Sequence, residues 1–262
     1  MCIIAIKPKN KELFNDDLLK NMFDNNPDGA GYMFYDTKKK TVIIRKGFMT
    51  LKALKKALKK EGNLKKTNLV MHFRIGTSGK MDKFNCHPYP VFEKNGLDVH
   101  TPLGVAHNGI LSAYTPTKTS AINDTQVFIR NVLSKLSKNF LNEYNSRTLI
   151  EELIGTNKLA FLDNANTVHT IGNFVEHDGY MFSNTSYEKR TFSYTPSWSK
   201  GWSKYDYLWQ DDYKDDFYDS EYDNEYFKDI LGEKLHKKCV KDFGEDYYET
   251  NEFWDWFDEK GK

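Results

Sequence analysis

Apolar residues along the first 190 positions fall into short runs bounded by Gly, Asn, Asp or Lys. The runs at 2–6, 31–35, 41–45, 69–73, 103–107, 158–162, 167–171 and 179–183 are short for helices and read as strands. Other stretches repeat with helical period. Leu51, Leu54, Ala57 and Leu58 share one face, with Thr50 as the N-cap and Gly62 as the stop. Asn123 and Asp124 open a second helix running through Val127, Phe128, Val132, Leu133 and Leu136. Residues 148–153 make a third that ends at Gly155, and 14–23 a fourth. Several strands come in hairpin-like pairs, 31–35 with 41–45 and 158–162 with 167–171. That favours antiparallel sheets with helices packed outside, an α+β class, over a parallel βαβ fold.

The pattern changes near Arg190. Residues 191–262 hold 10 Lys and 19 Asp or Glu, a charge of −9, against +10 for residues 1–190. They also carry all five tryptophans. The acidic content alone would suggest disorder, and the aromatic content opposes it. Short helices are expected at 229–239 and 250–257. The chain thus divides into a domain over 1–190 and an acidic, aromatic-rich extension over 191–262.

Composition removes several function classes. No apolar run approaches the roughly 18 residues of a membrane span, and the amino terminus lacks a charged region before its apolar stretch, so neither membrane nor secretory signal is expected. Three cysteines without CxxC spacing argue against a disulfide framework and a zinc site and for a reducing, cytoplasmic location. No metal or cofactor is expected. The lysines at 52–66 surround leucines at helical spacing, so an amphipathic surface helix is a better reading than a nucleic-acid contact.

Five short motifs carry candidate chemistry. Met1-Cys2 permits removal of Met1, because the second residue is small. Cys2 would then bear a thiol and a free α-amine, whose pKa of about 7.7–8.0 suits it to take the thiol proton. In His72-Phe-Arg74-Ile-Gly76-Thr77-Ser-Gly79 an arginine at a strand end can present its planar fork to a carboxylate. Asn85-Cys-His87-Pro-Tyr-Pro90 is a stiff loop in which His87 could orient a site group. Ala106-His107-Asn108-Gly109 reads first as a tight turn. The same geometry can aim the Asn108 amide and the Gly109 N–H at one oxyanion. Asn123-Asp124-Thr125 reads first as an N-cap, and Asp124 there can also bind an ammonium group.

In this order the motifs resemble the class II glutamine amidotransferase family of N-terminal nucleophile hydrolases, in a small stand-alone form. The resemblance runs from Cys2 through Pro27-Asp28-Gly29-Ala30-Gly31, the segment His72 to Gly79, Asn85 to Pro88, Ala106 to Gly109 and Asn123 to Thr125, to Ser183-Asn-Thr-Ser-Tyr187. It implies a four-layer αββα sandwich of two antiparallel sheets with the site between them. It further implies that Cys2 attacks the side-chain amide of L-glutamine to form a γ-glutamyl thioester, with Asn108 and Gly109 holding the oxyanion. Arg74 and Thr77 would hold the α-carboxylate and Asp124 the α-ammonium, with His87 adjacent. The Pro27 to Gly31 segment would be structural.

Departures from the family pattern leave these groups in place. Ile3 stands for Gly beside the nucleophile, Ile75 for an aromatic, Gly76 for Ala, Ser78 for His and Asn123 for Ser. The 72 residues after 190 are short for an attached synthetase, and no nucleotide-binding glycine motif is present. The expectation is glutamine hydrolysis, with ammonia released or passed to a separate synthetase or transferase. The alternatives are another amide or γ-glutamyl substrate, or a non-catalytic binding protein on the same fold.

Overall fold

A computed structural model describes residues 2–62, 64–76, 82–117, 120–189 and 241–242. The helices expected at 229–239 and 250–257 lie outside the described residues.

Two antiparallel sheets dominate the described residues. The larger contains β1 (Ile3–Lys7), β2 (Ala30–Asp36), β3 (Thr41–Phe48), β4 (Leu69–Phe73), β6 (Asp98–Thr101), β10 (Val175–His177) and β11 (Tyr180–Phe182), in the order β10-β11-β1-β4-β2-β3-β6. The smaller has the order β5-β7-β8-β9, with β5 (Tyr89–Pro90), β7 (Leu103–Asn108), β8 (Lys158–Asp163) and β9 (Val168–Ile171). Both expected hairpins form, β2 with β3 and β8 with β9. Each of the eight expected runs holds a strand.

Side-chain alternation assigns each strand face to a layer. On β1, Ile3 and Ala5 join a cluster with Leu19, Met22, Leu54 and Leu58. These last come from α1 (Asp16–Asn25) and α2 (Leu51–Lys60). Ile4 and Ile6 point the other way and meet Ala106, Ala160 and Leu162 of the smaller sheet. The outer face of that sheet, through Val105, Leu159 and Phe161, packs on α3 (Asp124–Asn131) and α4 (Tyr144–Ile154). The layers therefore run helices, sheet, sheet, helices, the αββα sandwich. Small residues on the inner face let the sheets approach closely: a Cβ on Gly104 would lie 2.6 Å from Met33 Sδ.

The helices differ from expectation at their ends. Asn15 caps α1 by accepting Leu18 N–H at 2.8 Å, so the helix begins at Asp16 and not Phe14. Thr50 caps α2 as expected. The helix expected over 123–136 stops at Asn131: Val132 leaves helical geometry with φ −122° and ψ −71°, and a 3₁₀ turn carries Leu133 into the core. The helix expected at 148–153 starts a turn earlier, at Tyr144. Strands β5, β6 and β10 have no counterpart in the sequence reading. They are two to four residues long, and β6 and β10 are largely exposed, so they carry no apolar alternation.

Candidate active site

Cys2 stands at the head of β1, the strand flanked by β11 and β4. Ile3 pairs with Phe73, which brings the end of β4 alongside the thiol. The Cys2 Sγ accepts Ile75 N–H at 3.3 Å, and its S–H is directed to Ile75 O at 3.4 Å. Asn184 Nδ2 donates to Cys2 O at 2.7 Å and fixes the backbone from the other side. Burial pushes the Cys2 thiol up, while the Ile75 N–H, the amino-terminal charge and the Arg74 guanidinium pull it back. Cys86 is fully buried, and burial pushes its thiol to about 11, so it stays a neutral core group.

The strand end that holds the sulfur is itself braced. Asp28 N–H donates to Arg74 O at 3.0 Å, and Arg74 N–H to Gly29 O at 2.8 Å. Asp28 Oδ2 accepts Gly76 N–H at 2.7 Å. The 27–31 segment thus grips both sides of Arg74, whose side chain is buried. Gly31 is required for close approach: a Cβ there would lie 2.3 Å from His87 O and 2.9 Å from Lys46 Cα.

The smaller sheet supplies the facing wall. β7 ends at Asn108, and Gly109 has φ +141°. A side chain at 109 has no room, because its Cβ would fall 1.8 Å from Asn157 Oδ1. At the start of α3, Asn123 accepts Gln126 N–H at 3.1 Å as the cap. The Asp124 carboxylate is buried and accepts two backbone N–H groups, Leu111 on Oδ2 and Thr125 on Oδ1, each at 2.8 Å. A carboxylate offers about four acceptor positions, so Asp124 keeps capacity for a ligand donor.

Three buried histidines lie between these walls. The Asn157 Nδ2 donates to Ile154 O at 2.6 Å, so its Oδ1, 3.0 Å from His107 Nε2, accepts a hydrogen there. That leaves His107 Nδ1 to accept the Thr125 hydroxyl at 2.7 Å, and Thr125 Oγ1 to accept His87 Nε2–H at 3.0 Å. His72 Nε2–H donates to His107 O at 3.0 Å. The His72 and His87 rings lie with centroids 4.3 Å apart and planes tilted by 35°, and both their Nδ1 atoms are buried without a hydrogen-bond partner. Burial, then repulsion from His107, pushes His72 down to about 3; burial, then repulsion from His72 and His107, pushes His87 well below its usual value. Burial also lowers His107. All three are neutral at neutral pH.

A small pocket opens among these groups. Of the residues singled out in the sequence, Cys2, Arg74, His87, Gly109 and Asp124 line it. Asn108 is buried but is not part of the lining; its Nδ2 lies 2.8 Å from Ser183 Oγ, and its Oδ1 has no partner. Thr77 lies outside the described residues. The sequence reading gave no role to His107 or Thr125, which line the pocket, or to Asn157, Ser183 and Asn184, which hold its walls. His107 sits in the quoted motif and was the one most open to inference; Asn157 has no motif to mark it. Among the described residues no cluster of three His, Cys, Asp or Glu could hold a metal ion, and no helix is long and apolar enough to cross a membrane.

A family model described as class II glutamine amidotransferases matches residues 19–190. No curated protein matches the chain.

Proposed function

The chain belongs to the class II glutamine amidotransferase family, and we propose that it hydrolyses the side-chain amide of glutamine through Cys2, exposed as the first residue once Met1 is removed. The observation that carries this reading is the convergence of Cys2, Arg74, Gly109 and Asp124 on one pocket. The thiol, a guanidinium, a turn N–H and a carboxylate are the groups needed to attack an amide while holding an amino-acid head.

Arg74, with Thr77, binds the α-carboxylate of glutamine, and Asp124 binds its α-ammonium. The Cys2 α-amine takes the thiol proton as sulfur attacks the amide carbon. The oxyanion that forms is held by Gly109 N–H and the Asn108 amide. The protonated α-amine returns its proton to the leaving nitrogen, ammonia departs and a γ-glutamyl thioester remains. Water, deprotonated by the same amine, attacks the thioester and releases glutamate and the thiol. His87, neutral and hydrogen-bonded through Thr125, shapes the wall beside the substrate.

Residues 1–190 are the catalytic unit in this reading, supported by a family match that ends at 190. The 191–262 extension is a separate unit of unassigned role. Ammonia is released or taken up by a separate synthetase or transferase, and the thiol chemistry suits a reducing, cytoplasmic setting. Incubation with L-glutamine should release ammonia and glutamate, and Cys2→Ala should abolish the release. Undiminished turnover by that variant would falsify the mechanism. Intact mass should show loss of Met1, since a retained methionine removes the free amine.

A further inference from the structure

Ser183, the residue after β11, is fully buried where both sheets meet. Its N–H donates to Ile4 O at 2.9 Å, and its Oγ accepts Ile4 N–H at 2.8 Å. Its carbonyl accepts the ammonium of Lys158 on β8, and its Oγ lies 2.8 Å from Asn108 Nδ2 on β7. One residue therefore ties the strand that carries Cys2 to the turn that carries Gly109.

A hydroxyl has one hydrogen to donate and two positions that accept. Both bonds recorded for Ser183 Oγ fill accepting positions, so the hydroxyl's own hydrogen has no recorded acceptor. The other end of the same carboxamide, Asn108 Oδ1, is buried with no donor. Turning the carboxamide over by 180° lets Ser183 O–H donate to Asn108 Oδ1 and moves the unpartnered position to Nδ2, whose hydrogens are then free for a ligand acceptor. Ile4 N–H occupies one lone pair of Ser183 in either arrangement.

We propose that Ser183 is a positioning residue for amide hydrolysis: its hydroxyl holds the oxygen end of the Asn108 carboxamide, so that the NH₂ end is the one presented beside Gly109 N–H to the tetrahedral oxyanion. The inference rests on the glutamine reading above. Without the hydroxyl, the oxygen end of the amide loses the donor that holds it, and the oxyanion loses a donor for the fraction of time the oxygen faces it.

The test compares the processed full-length chain with Ser183→Ala and Ser183→Cys. The cysteine variant keeps nearly the same volume with a weak donor, and covers the case in which alanine prevents folding. Loss of an oxyanion donor costs about 10²–10³ in kcat, so a partly misoriented donor should lower kcat about tenfold or more, less for cysteine than for alanine. KM for glutamine should stay within about twofold. The rate at which iodoacetamide alkylates Cys2 should be unchanged, because that displacement forms no oxyanion. Full kcat in Ser183→Ala overturns the Ser183 role alone. Parallel loss of kcat and alkylation also overturns it, since Ser183 would then act by placing the sulfur. If the unaltered chain releases no ammonia from glutamine, the glutamine reading itself fails, and this role with it.

Discussion

Asp124 shows how a single side chain acquires a capacity its type does not announce. At the head of a helix an aspartate normally serves the backbone, and here two N–H groups hold it. Those bonds fix both oxygens beside the pocket and leave acceptor positions open, which the proposed mechanism fills with the substrate ammonium. Asp124→Asn keeps the shape and removes the charge. A hydrogen bond to a charged group contributes about 1.5–3 kcal/mol, so KM for glutamine should rise about tenfold to a hundredfold, with kcat less affected; steady-state kinetics that left KM unchanged would remove Asp124 from substrate binding. The histidines make a second prediction at this scale. His72 titrates near 6.5 in an unfolded chain and near 3 when folded. Between those values the unfolded state holds a proton that the folded state does not, so stability rises with pH. The contribution is fully present above about 6.5 and is lost as pH falls toward about 3, at up to about 1.4 kcal/mol per pH unit. Urea unfolding midpoints measured from pH 7 to pH 5 should fall, and should fall less steeply in His72→Asn. Equal slopes would show that His72 is not the group responsible.

At the level of elements, close backbone approach rather than propensity decides the local shape around the site. β2 passes against the His87 loop at Gly31, and any side chain there meets backbone on two sides. Gly31→Ala should therefore cost about 1–3 kcal/mol, the range for overpacking a filled site, read as a lowered denaturation midpoint at unchanged m-value. A neutral result would mean that the loop yields. The α3 boundary has a similar lesson. Val132, Leu133 and Leu136 continue the apolar period past Asn131, yet the helix ends and a 3₁₀ turn buries Leu133. Periodicity marks which side chains go inward, and a tighter turn can bury the same residues as a continued helix. β5, β6 and β10 were invisible for the opposite reason: short strands paired only along an edge need no buried alternation, and their pairing is decided by the partner strand.

Among the described residues, the three packed clusters draw their buried members from Ile3 to Tyr187. Asn25 Nδ2 ties down the chain at Ser186 O and Glu188 O, each at 2.9 Å. A chain ended after Lys189 should therefore fold cooperatively and retain ammonia release from glutamine within a few-fold. Complete loss of soluble, cooperatively unfolding protein would show that the 191–262 extension is part of the folding unit. The same packing explains what was legible beforehand. Alternation in runs such as Ile3 to Ile6 is a local property, because adjacent side chains on a strand must face different layers whatever the strand pairs with. The sequence by itself therefore determined the eight principal strands, the α+β class and the order of the motifs. It also supplied the residue types at Cys2, Arg74, Gly109 and Asp124. Only the tertiary structure decided that these four residues share one pocket. It also decided that Asn157 forbids a side chain at 109 and that Ser183 joins the two sheets. Those contacts link residues far apart along the chain, and no local pattern of apolar and polar positions encodes which inner face meets which until the sheets are packed together.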